Sequence, residues 1–528
     1  MATFSLCGLL VCSSLFTSIS ATPSAGQGKA QSNVVDCLTA KNVPHADPSS
    51  ANWTALSTPY NLRLVYEPAV IIIPETPDQV SDGVNCAAAA GLKVQAKGGG
   101  HSYASFSSGG QNGSAIIEME NFSSINVDQC KSSDDLLDLA DQKATFIAKI
   151  GSGQRLGNVA LALFDQGQRA LPHGTCPGVG IAGHALHGGY GYDSRKWGLT
   201  LDHIVALDVV LANGTQIHTT ETDYPDIFFA MRGAGDSFGI VTYLYFQTEP
   251  APSSVIYFTA GLTAALKDVD VVTSAFENLQ NYALTSPDIT PNITFGMYTD
   301  SGGSFSISGW CMECDLEVFQ NTIFPAMLSG FPSPSPTVSE LGWIDALIAL
   351  GSPDPLAEPL GSTYTKHDTF YAKSLVVKNE EPLTTATIRS FWSYIIANQG
   401  KGPFFSIINL YGGPNSQINV PSPGSSAYSD REALWVFQNY GYTANNQPPY
   451  DLSITPIVDG LNDAVTTAQP GGNFTGYLNY VDPDLSATMA AELYYGSSTY
   501  DKLLSIKTTV DPRFLFWNPQ AVGNAPVL

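Results

Sequence analysis

The chain has 528 residues, of which 44% are hydrophobic and 13% are charged, and its formal net charge is −24 at pH 7. A chain of this length can bury a large core, and its composition lacks the charge excess that is typical of disordered proteins. The 47 acidic residues, against 23 basic ones, would repel phosphate backbones and anionic bilayers. We therefore expect a globular protein that binds neither nucleic acid nor a membrane surface.

The N-terminal segment predicts secretion. Residues 1–20 contain no charged side chain, are apolar from Phe4 to Phe16 and end in small residues, which is typical of a signal peptide. A transmembrane helix is not expected, because the apolar run is shorter than the ~20 residues that cross a bilayer and contains serines. Secretion also agrees with six Asn-x-Ser/Thr sequons, at Asn52, Asn112, Asn121, Asn213, Asn292 and Asn473.

Between Tyr66 and Glu249, β-rich runs alternate with Ala-rich helical stretches, which indicates an α+β or α/β region. The predicted strands are Val70–Ile73, Ala115–Met119, Ala144–Ile150, Ile204–Leu211 and Ile240–Phe246. The predicted helices are Val80–Ala90 and Asn158–Asp165. We expect a first domain over residues 21–250.

The pattern changes after Pro250-Ala251-Pro252. Beyond it we predict helices at Leu262–Ala283 and Thr385–Gln399, and strands of alternating sidedness in Ile293–Trp310 and Phe404–Tyr411. This indicates a second domain, residues 251–470, in which helices cover an antiparallel sheet. The remaining residues, 471–528, with a helix-like stretch at Leu485–Thr508, are too few to fold alone and should pack back on a preceding domain.

Cysteine is sparse once the predicted signal is removed. The cysteines left are Cys37, Cys86, Cys130, Cys176, Cys311 and Cys314. They are too few for a disulfide scaffold, so the core must carry the stability. Cys311 and Cys314 have redox-motif spacing but lie far from any βαβ pattern, and we favour a local disulfide or unused thiols over redox chemistry. No second Cys/His pair has ligand spacing, so no metal site is predicted.

The first chemical motif is the run Lys97-Gly98-Gly99-Gly100-His101-Ser102-Tyr103, which follows a strand-like Leu92–Ala96. Consecutive glycines expose backbone N–H groups that can bind a diphosphate. The run matches neither the Rossmann nor the Walker pattern. A glycine-rich turn with a surface histidine is, from these residues alone, an equal alternative.

The second motif runs from Pro172 to Gly191 and contains Cys176 among many glycines. A cysteine there is a poor core filler, although a disulfide stays an open alternative. His184 and His187 lie three residues apart without a nearby carboxylate, so we favour a packed or hydrogen-bonded role over a metal site. Such glycine density exceeds what ordinary packing needs, and we expect the backbone to approach something closely.

Together, Ala96-Lys97-Gly98-Gly99-Gly100-His101-Ser102-Tyr103 and His173-Gly174-Thr175-Cys176-Pro177 resemble the berberine-bridge-enzyme-like branch of the vanillyl-alcohol oxidase superfamily, within it the fungal oligosaccharide oxidases. The resemblance spans essentially the whole mature chain, and its ordered motifs are specific. It continues in Tyr60-Asn61-Leu62-Arg63, Gly198-Leu199-Thr200-Leu201-Asp202, Met231-Arg232-Gly233-Ala234-Gly235, Phe370-Tyr371-Ala372-Lys373-Ser374, Tyr477-Leu478-Asn479-Tyr480 and Asn518-Pro519-Gln520.

The resemblance implies an α+β fold: a two-subdomain FAD-binding domain of the vanillyl-alcohol oxidase/PCMH type, a substrate domain on an antiparallel sheet, and a C-terminal segment that returns to the FAD-binding domain. It implies that FAD is doubly covalent, through His101 to the flavin 8α-methyl and through Cys176 to flavin C6. Cys37 and Cys86 would form the family's N-terminal disulfide. The other cofactor-binding residues would be Gly98, Gly99, Gly100, Ser102, Gly174, Gly180 and Gly183.

The resemblance also implies that Tyr480 removes the proton of the hydroxyl that is oxidised. A phenol is a poor base unless its anion is stabilised, and in the oligosaccharide oxidases an aspartate assists. Here that position is Asn409, which can orient Tyr480 by a hydrogen bond but cannot accept a proton. Tyr103, Gln438 and Tyr477 match further positions over the flavin, Tyr103 as a catalytic residue and the other two as substrate-binding residues.

The leading hypothesis is a secreted FAD-dependent oxidase of a carbon-bound hydroxyl, with the anomeric carbon of an oligosaccharide as a candidate, that reduces dioxygen to hydrogen peroxide. Asn409 keeps a second hypothesis close, a tailoring oxidoreductase or oxidative cyclase of secondary metabolism. A third is a glycan-binding flavoprotein that has lost turnover. The presence of His101, Cys176 and Tyr480 argues against the third, because a binding module needs none of them.

Overall fold

The computed structural model describes residues 25–129, 146–422 and 424–525. The predicted signal peptide, residues 1–20, and Cys130 lie outside these ranges. Within them, helices pack on three main sheets, and the fold is α+β as expected.

The first sheet has four strands. Their order is His45–Ala46, Val70–Ile72, Ala115–Glu118 and Val94–Lys97. The last three run parallel, and apolar residues of helices Ala25–Ala40 and Pro77–Ala89 pack on them. The hydroxyl of Thr76 caps the second helix by accepting the Gln79 N–H. A disulfide between Cys37 and Cys86 joins the two helices and confirms the implied pair.

The second sheet has five antiparallel strands. Their order is Ile125–Gln129, Phe146–Gly151, Ile240–Gln247, Ile204–Val210 and Gln216–Thr219. Its apolar core is shared by the helices Leu156–Asp165, Ile181–Leu186, Pro225–Ala234, Ala487–Tyr494 and Gly496–Val510. The prediction of a single helix at Leu485–Thr508 is wrong in one respect. The segment forms two helices, because Gly496 adopts a left-handed φ of 69° between them.

The third sheet has seven strands, all antiparallel. Their order is Ser335–Leu341, Val255–Gly261, Phe305–Met312, Ile293–Asp300, Phe404–Leu410, Ala433–Tyr442 and Phe370–Lys378. The helices Val269–Thr285, Thr385–Asn398 and Thr455–Thr466 contribute to the large apolar core of this sheet. The predicted run Ile293–Trp310 is therefore two strands joined by a turn.

The remaining elements are short. A two-stranded sheet pairs Arg169–Ala170 with Glu249–Pro250. Short helices lie at Trp53–Ser57, Ser194–Trp197, Leu316–Val318, Phe324–Met327 and Trp343–Gly351. Cys311 and Cys314 form the local disulfide that the sequence favoured over redox chemistry.

The second sheet ends at Gln247 and the next large sheet starts at Val255. The division into residues 21–250, 251–470 and 471–528 stays a prediction. None of the described helices combines the length and the apolarity that a bilayer crossing needs. Within the described ranges, no three His, Cys, Asp or Glu side chains are grouped so as to hold a metal ion.

Candidate active site

A cavity of about 490 Å³ lies between the two glycine-rich loops, the third sheet and the C-terminal segment. All of the catalytic, cofactor-binding and substrate-binding candidates chosen from the sequence line it. They are Gly98, Gly99, Gly100, His101, Ser102, Tyr103, Gly174, Cys176, Gly180, Gly183, Asn409, Gln438, Tyr477 and Tyr480. Residues from three separate parts of the chain therefore meet at one place, while the individual roles stay predictions.

The two glycine-rich loops touch backbone to backbone. A Cβ at Gly99 would lie 2.3 Å from the Gly180 nitrogen, and a Cβ at Gly180 would lie 2.3 Å from the Gly99 nitrogen. The Arg155 guanidinium donates to the carbonyls of Gly99, at 2.9 Å, and Gly178. The close approach expected from the glycine density is thus confirmed, and part of it is made by one loop to the other.

His101 is held as a neutral imidazole. Its ring stacks on Tyr60, with centroids 4.0 Å apart, and its Nε2 lies 2.8 Å from the Tyr364 hydroxyl. Burial, followed by the charges of Arg155 and Lys366, lowers the pKa of His101 well below 6.5. An uncharged ring nitrogen is a nucleophile, as a covalent role would require.

Cys176 lies on the cavity wall and is disulfide-bonded in this structure. Two buried histidines flank it in sequence. Burial lowers the pKa of His173 to about 4 and that of His184 to about 3. The Nε2 of His184 has no hydrogen-bond partner among the described residues, and His184 lines the cavity. This nitrogen faces the backbone, because a Cβ at Gly189 would lie 2.9 Å from it, and it is a buried polar atom that the described residues leave unpaired.

His187 also takes a hydrogen-bonded role. Its Nδ1 lies 3.0 Å from the Gly183 carbonyl, and its Nε2 lies 3.4 Å from a carboxylate oxygen of Asp236. Burial lowers the pKa of His187, but the hydrogen bond and the charge of Asp236 outweigh burial and raise it. His187 is thus paired with a carboxylate, as the preference for a hydrogen-bonded role expected.

Tyr480 ends a short 3₁₀ turn, Leu478–Tyr480, and stacks on Tyr103 with centroids 5.6 Å apart. Tyr477 meets the same ring edge-on, at 4.9 Å. Burial, followed by the neighbouring tyrosines, raises the pKa of Tyr480 well above 10. Tyr480 is therefore protonated at neutral pH, and its phenolate would be a strong base.

Asn409 lies on strand Phe404–Leu410 opposite Gly296. A Cβ at Gly296 would lie 2.2 Å from the Asn409 amide oxygen and 2.8 Å from the Tyr192 hydroxyl. Glycine at this position therefore makes room for both groups. In the part of the chain that the structure describes, no hydrogen bond joins Asn409 to Tyr480. The expected role of Asn409, to orient Tyr480 by a hydrogen bond, is therefore not supported by a direct contact.

The Tyr477 hydroxyl is directed at the protein. It accepts hydrogen bonds from the Gly189 N–H at 3.0 Å, the Tyr190 N–H at 3.3 Å and the Asn479 side-chain amide at 2.8 Å. The same amide donates to the His184 carbonyl at 3.1 Å. Tyr477 and Asn479 thus fasten the segment that carries Tyr480 to the second glycine-rich loop, and Tyr477 offers the cavity its ring rather than its hydroxyl.

One residue of the motif Tyr60-Asn61-Leu62-Arg63 connects two parts of the site. Buried Asn61 donates to the Tyr103 carbonyl at 2.6 Å and to the Phe370 carbonyl at 3.1 Å, so it joins the first glycine-rich loop to the third sheet. The cavity residues that the sequence analysis missed include Tyr60, Asp368 and Tyr440. Tyr60 could have been found from its motif, whereas Asp368 and Tyr440 lie in no motif that the sequence analysis recognised.

Comparison with known proteins gives two family matches, an FAD binding domain over residues 68–220 and a "Berberine and berberine like" segment over residues 476–523. A chitooligosaccharide oxidase of Gibberella zeae is 36% identical over 493 residues, which cover 93% of this chain and 94% of that protein. An FAD-linked oxidoreductase of Metarhizium anisopliae is 33% identical over 495 residues, which cover 93% of this chain and 91% of that protein.

A solved structure of a glucooligosaccharide oxidase from Acremonium strictum, described as carrying 6-S-cysteinyl, 8α-N1-histidyl FAD, matches with a TM-score of 0.83. The two chains are 30% identical, and the match covers 93% of this chain and 99% of the other.

Proposed function

Because the chain belongs to the berberine-bridge-enzyme-like family of FAD-linked oxidoreductases, we propose that it is a secreted oligosaccharide oxidase that acts on the anomeric hydroxyl. The enzyme is an FAD-dependent oxidase of CH–OH donors. One observation carries the finer proposal: His101, Cys176 and Tyr480, far apart in sequence, line a single cavity.

The residues present fit FAD. Two glycine-rich loops present backbone at the cavity wall, and His101 is a neutral imidazole. When bound, FAD would supply the hydride acceptor for the substrate carbon, with dioxygen as the final oxidant and hydrogen peroxide as its product. His101 and Cys176 are proposed as its two tethers, and the tether at Cys176 requires the thiol form of this residue rather than the disulfide in which it lies here.

Tyr480 is proposed to take the proton of the substrate hydroxyl at its Oη. Its ring is held between Tyr103 and Tyr477, and Tyr477 is itself tied to the second glycine-rich loop. Gln438 donates a hydrogen bond to the Tyr103 hydroxyl at 2.6 Å, which fixes the ring on the other side of Tyr480. This chain therefore orients the base through rings and hydrogen bonds, and a carboxylate at position 409 is not available to help.

The lining of the cavity is compatible with a sugar substrate. It includes the aromatic rings of Tyr298, Phe405, Tyr440 and Tyr442, and apolar rings pack against the C–H faces of sugars. The similarity to the chitooligosaccharide oxidase supports this substrate class.

A second candidate is a tailoring oxidoreductase of secondary metabolism. Asn409 in place of the expected aspartate favours it, as does the similarity to the FAD-linked oxidoreductase of Metarhizium anisopliae. Both candidates use the same cavity and the same proposed base, and they differ in the substrate.

Secretion is supported by the exposure of the sequons. Five of the six asparagines are exposed and Asn292 is half-buried. Expression in a eukaryotic secretory host should give a chain that begins close to Ala21 and carries N-glycans, as read by N-terminal sequencing and deglycosylation. An unglycosylated product that stays in the cytosol and retains Met1 would contradict this part of the proposal.

The decisive experiment measures peroxide release by the purified holoenzyme with cello-, chito- and xylo-oligosaccharides beside simple alcohols. Peroxide with a reducing oligosaccharide, together with formation of the corresponding aldonic acid, is the expected result. Turnover of alcohols or phenolic metabolites with no turnover of any oligosaccharide would select the second candidate instead.

A further inference from the structure

A carboxylate lies in the cavity two rings away from Tyr480. Tyr103 stacks on Tyr480, and Tyr440 meets Tyr103 edge-on with centroids 6.1 Å apart. The Tyr440 hydroxyl donates a hydrogen bond to the Asp368 carboxylate at 2.6 Å. Asp368 therefore shares the cavity with Tyr480, and a substrate that reacts at Tyr480 could reach it with a part remote from the reacting carbon.

The backbone holds Asp368 rigidly. Its N–H donates to the Tyr60 carbonyl at 2.9 Å, and its own carbonyl accepts the Leu62 N–H at 2.7 Å. One carboxylate oxygen accepts the Thr369 N–H at 2.6 Å, and the other accepts the Tyr440 hydroxyl. Burial raises the pKa of Asp368, and the hydrogen bonds from Tyr440 and Thr369 oppose that shift. Each oxygen of the ionised carboxylate can accept a second donor, so in that form Asp368 keeps acceptor capacity for a ligand.

Aromatic rings surround this carboxylate. The Tyr440 ring stacks on Phe370, with centroids 4.3 Å apart, and on Phe405, with centroids 4.7 Å apart. Tyr60 and Tyr442 also line the cavity here. The faces of aromatic rings attract cations, and a carboxylate among them strengthens that attraction.

The rest of the cavity offers Asp368 no positive partner. The described residues that line the cavity include neither Lys nor Arg, and no ion pair of the described chain includes Asp368. His101 and His184 have lowered pKa values through burial and are neutral. His187 is paired with Asp236. A positive charge at Asp368 would therefore have to come from the substrate.

We propose that Asp368 and the rings around it bind an ammonium group, so that the preferred substrate is a hydroxyl compound that also carries an amine, such as an amino sugar oligomer. The proposal rests on the proposed function, because the reacting hydroxyl has to reach Tyr480 in the same cavity. The net charge of −24 favours the approach of cations over anions from a distance.

The test compares wild-type holoenzyme with Asp368→Asn, which keeps the shape of the side chain and removes its charge. Asp451→Asn is the matched control, because Asp451 is exposed and its loss changes the net charge equally. The probes are a glucosamine dimer, the N-acetylglucosamine dimer with the same skeleton, a uronic acid dimer, and aminomethyl benzyl alcohol. Wild type and Asp451→Asn should prefer the glucosamine dimer over its acetylated form by about tenfold in kcat/KM, the ratio that about 1.4 kcal/mol gives.

In Asp368→Asn that preference should fall to about parity, while activity on the acetylated dimer is retained. Turnover of aminomethyl benzyl alcohol in preference to the glucosamine dimer would support an ammonium site and assign it to amines without a sugar ring. Equal use of the two dimers by wild type, preference for the uronic acid dimer, or an unchanged preference in Asp368→Asn would overturn the proposal.

Binding to dithionite-reduced holoenzyme, measured by titration calorimetry with the same probes, separates the two proposals. If no sugar reduces the flavin but the amino probes still bind more tightly than the acetylated dimer, and lose this advantage in Asp368→Asn, the ammonium site stands and the proposed oligosaccharide oxidase does not. Equal binding of all the probes overturns the ammonium site, whatever the turnover.

Discussion

The ring of Tyr103 lies parallel to the ring of Tyr480, with planes inclined by 13° and centroids 5.6 Å apart. The Tyr103 hydroxyl is engaged, since it accepts a hydrogen bond from Gln438. Among the described residues, the Tyr480 hydroxyl has no hydrogen-bond partner. Of the two stacked phenols, Tyr480 is thus the one whose oxygen is open to a substrate.

Replacing Tyr480 with Phe should slow flavin reduction by roughly 10²–10⁴-fold, because the ring packing is kept and the general base is lost. Flavin content should stay near that of wild type. Stopped-flow measurement of the reductive half-reaction at saturating substrate isolates this step from reoxidation by oxygen.

A suitable control is Tyr500→Phe, which removes a phenol that donates to the Ala525 carbonyl outside the cavity. This variant should reduce its flavin at the wild-type rate. If Tyr480→Phe did the same, another group would be the base, and Tyr103 would be the next candidate.

The raised pKa of Tyr480 sets the sign of the pH dependence. Burial and the neighbouring tyrosines raise this pKa well above 10, so the phenolate that accepts the proton is scarce at neutral pH. Its fraction grows by about tenfold per pH unit below the pKa. The rate of flavin reduction should therefore rise with pH across the neutral and mildly alkaline range without a plateau.

That profile is measured by stopped flow at saturating substrate in a series of buffers in which the enzyme stays folded. A plateau that begins near neutral pH in wild type would mean that the proton acceptor has a much lower pKa than Tyr480 has here. The Tyr480→Phe variant should lack the rise altogether.

Double attachment of FAD is tested by acid precipitation. In wild type the flavin should stay with the polypeptide, and digestion should give two peptides that share one flavin. His101→Ala and Cys176→Ala should each keep the flavin through the other tether, and the double variant should release it. Free flavin in the supernatant of wild-type protein would contradict double attachment.

Tyr477→Phe should separate positioning from substrate binding. The change removes the acceptor for the Gly189 and Tyr190 N–H groups, and an unpaired buried group costs about 1–3 kcal/mol of unfolding free energy. Because the hydroxyl holds the segment that carries Tyr480, kcat should fall while KM changes little. Denaturant unfolding and steady-state kinetics measure the two effects.

Tyr428→Phe is the matched control, since its hydroxyl donates to the Tyr190 hydroxyl at 2.9 Å and does not contact the segment of Tyr480 through that bond. Its kcat should stay close to wild type. A rise in KM at constant kcat in Tyr477→Phe would instead assign Tyr477 to substrate binding, as the sequence resemblance implied.

Local patterns predict six of the nine strands of the first two sheets to within three residues, because each shows a strand period bounded by turns. The strands His45–Ala46, Ile125–Gln129 and Gln216–Thr219 were not predicted, because each is too short to show a clear period. Strand Ala433–Tyr442 was not predicted. Its residues are buried on both faces as far as Gly441, so the alternation that identifies a half-buried strand is absent. The pairing of this strand with Phe370–Lys378 depends on contacts between distant parts of the chain, which no local pattern encodes.

The residues of the candidate site also fall into two groups, those that local motifs predict and those that only the folded chain brings together. His101, Cys176 and Tyr480 were found from motifs, each of which is local. Asp368 reaches the cavity because its backbone pairs with Tyr60 and Leu62, about 300 residues earlier, and its carboxylate meets Tyr440. Such a meeting follows from the folded chain and has no sequence signal of its own.

Asn409→Asp tests how this chain works without the expected aspartate. Asn409 is 5% exposed, and its amide oxygen lies over Gly296 beside the Tyr192 hydroxyl, with no hydrogen bond to Tyr480. A carboxylate placed there should accept a hydrogen bond from Tyr192 and, as a nearby negative charge, should raise the pKa of the cavity tyrosines further. We expect the pH profile of flavin reduction to move by about one unit or more toward alkaline pH, and the rate at neutral pH to fall by about tenfold.

Asn445→Asp, which adds the same charge at an exposed position, should leave the pH profile of flavin reduction unchanged. Both variants are measured by stopped flow with the oligosaccharide that wild type oxidises best. A faster reduction at neutral pH in Asn409→Asp would mean that the carboxylate reaches Tyr480 and takes up its proton, and that the asparagine is an adaptation to a different substrate rather than part of this chain's own way of holding its base.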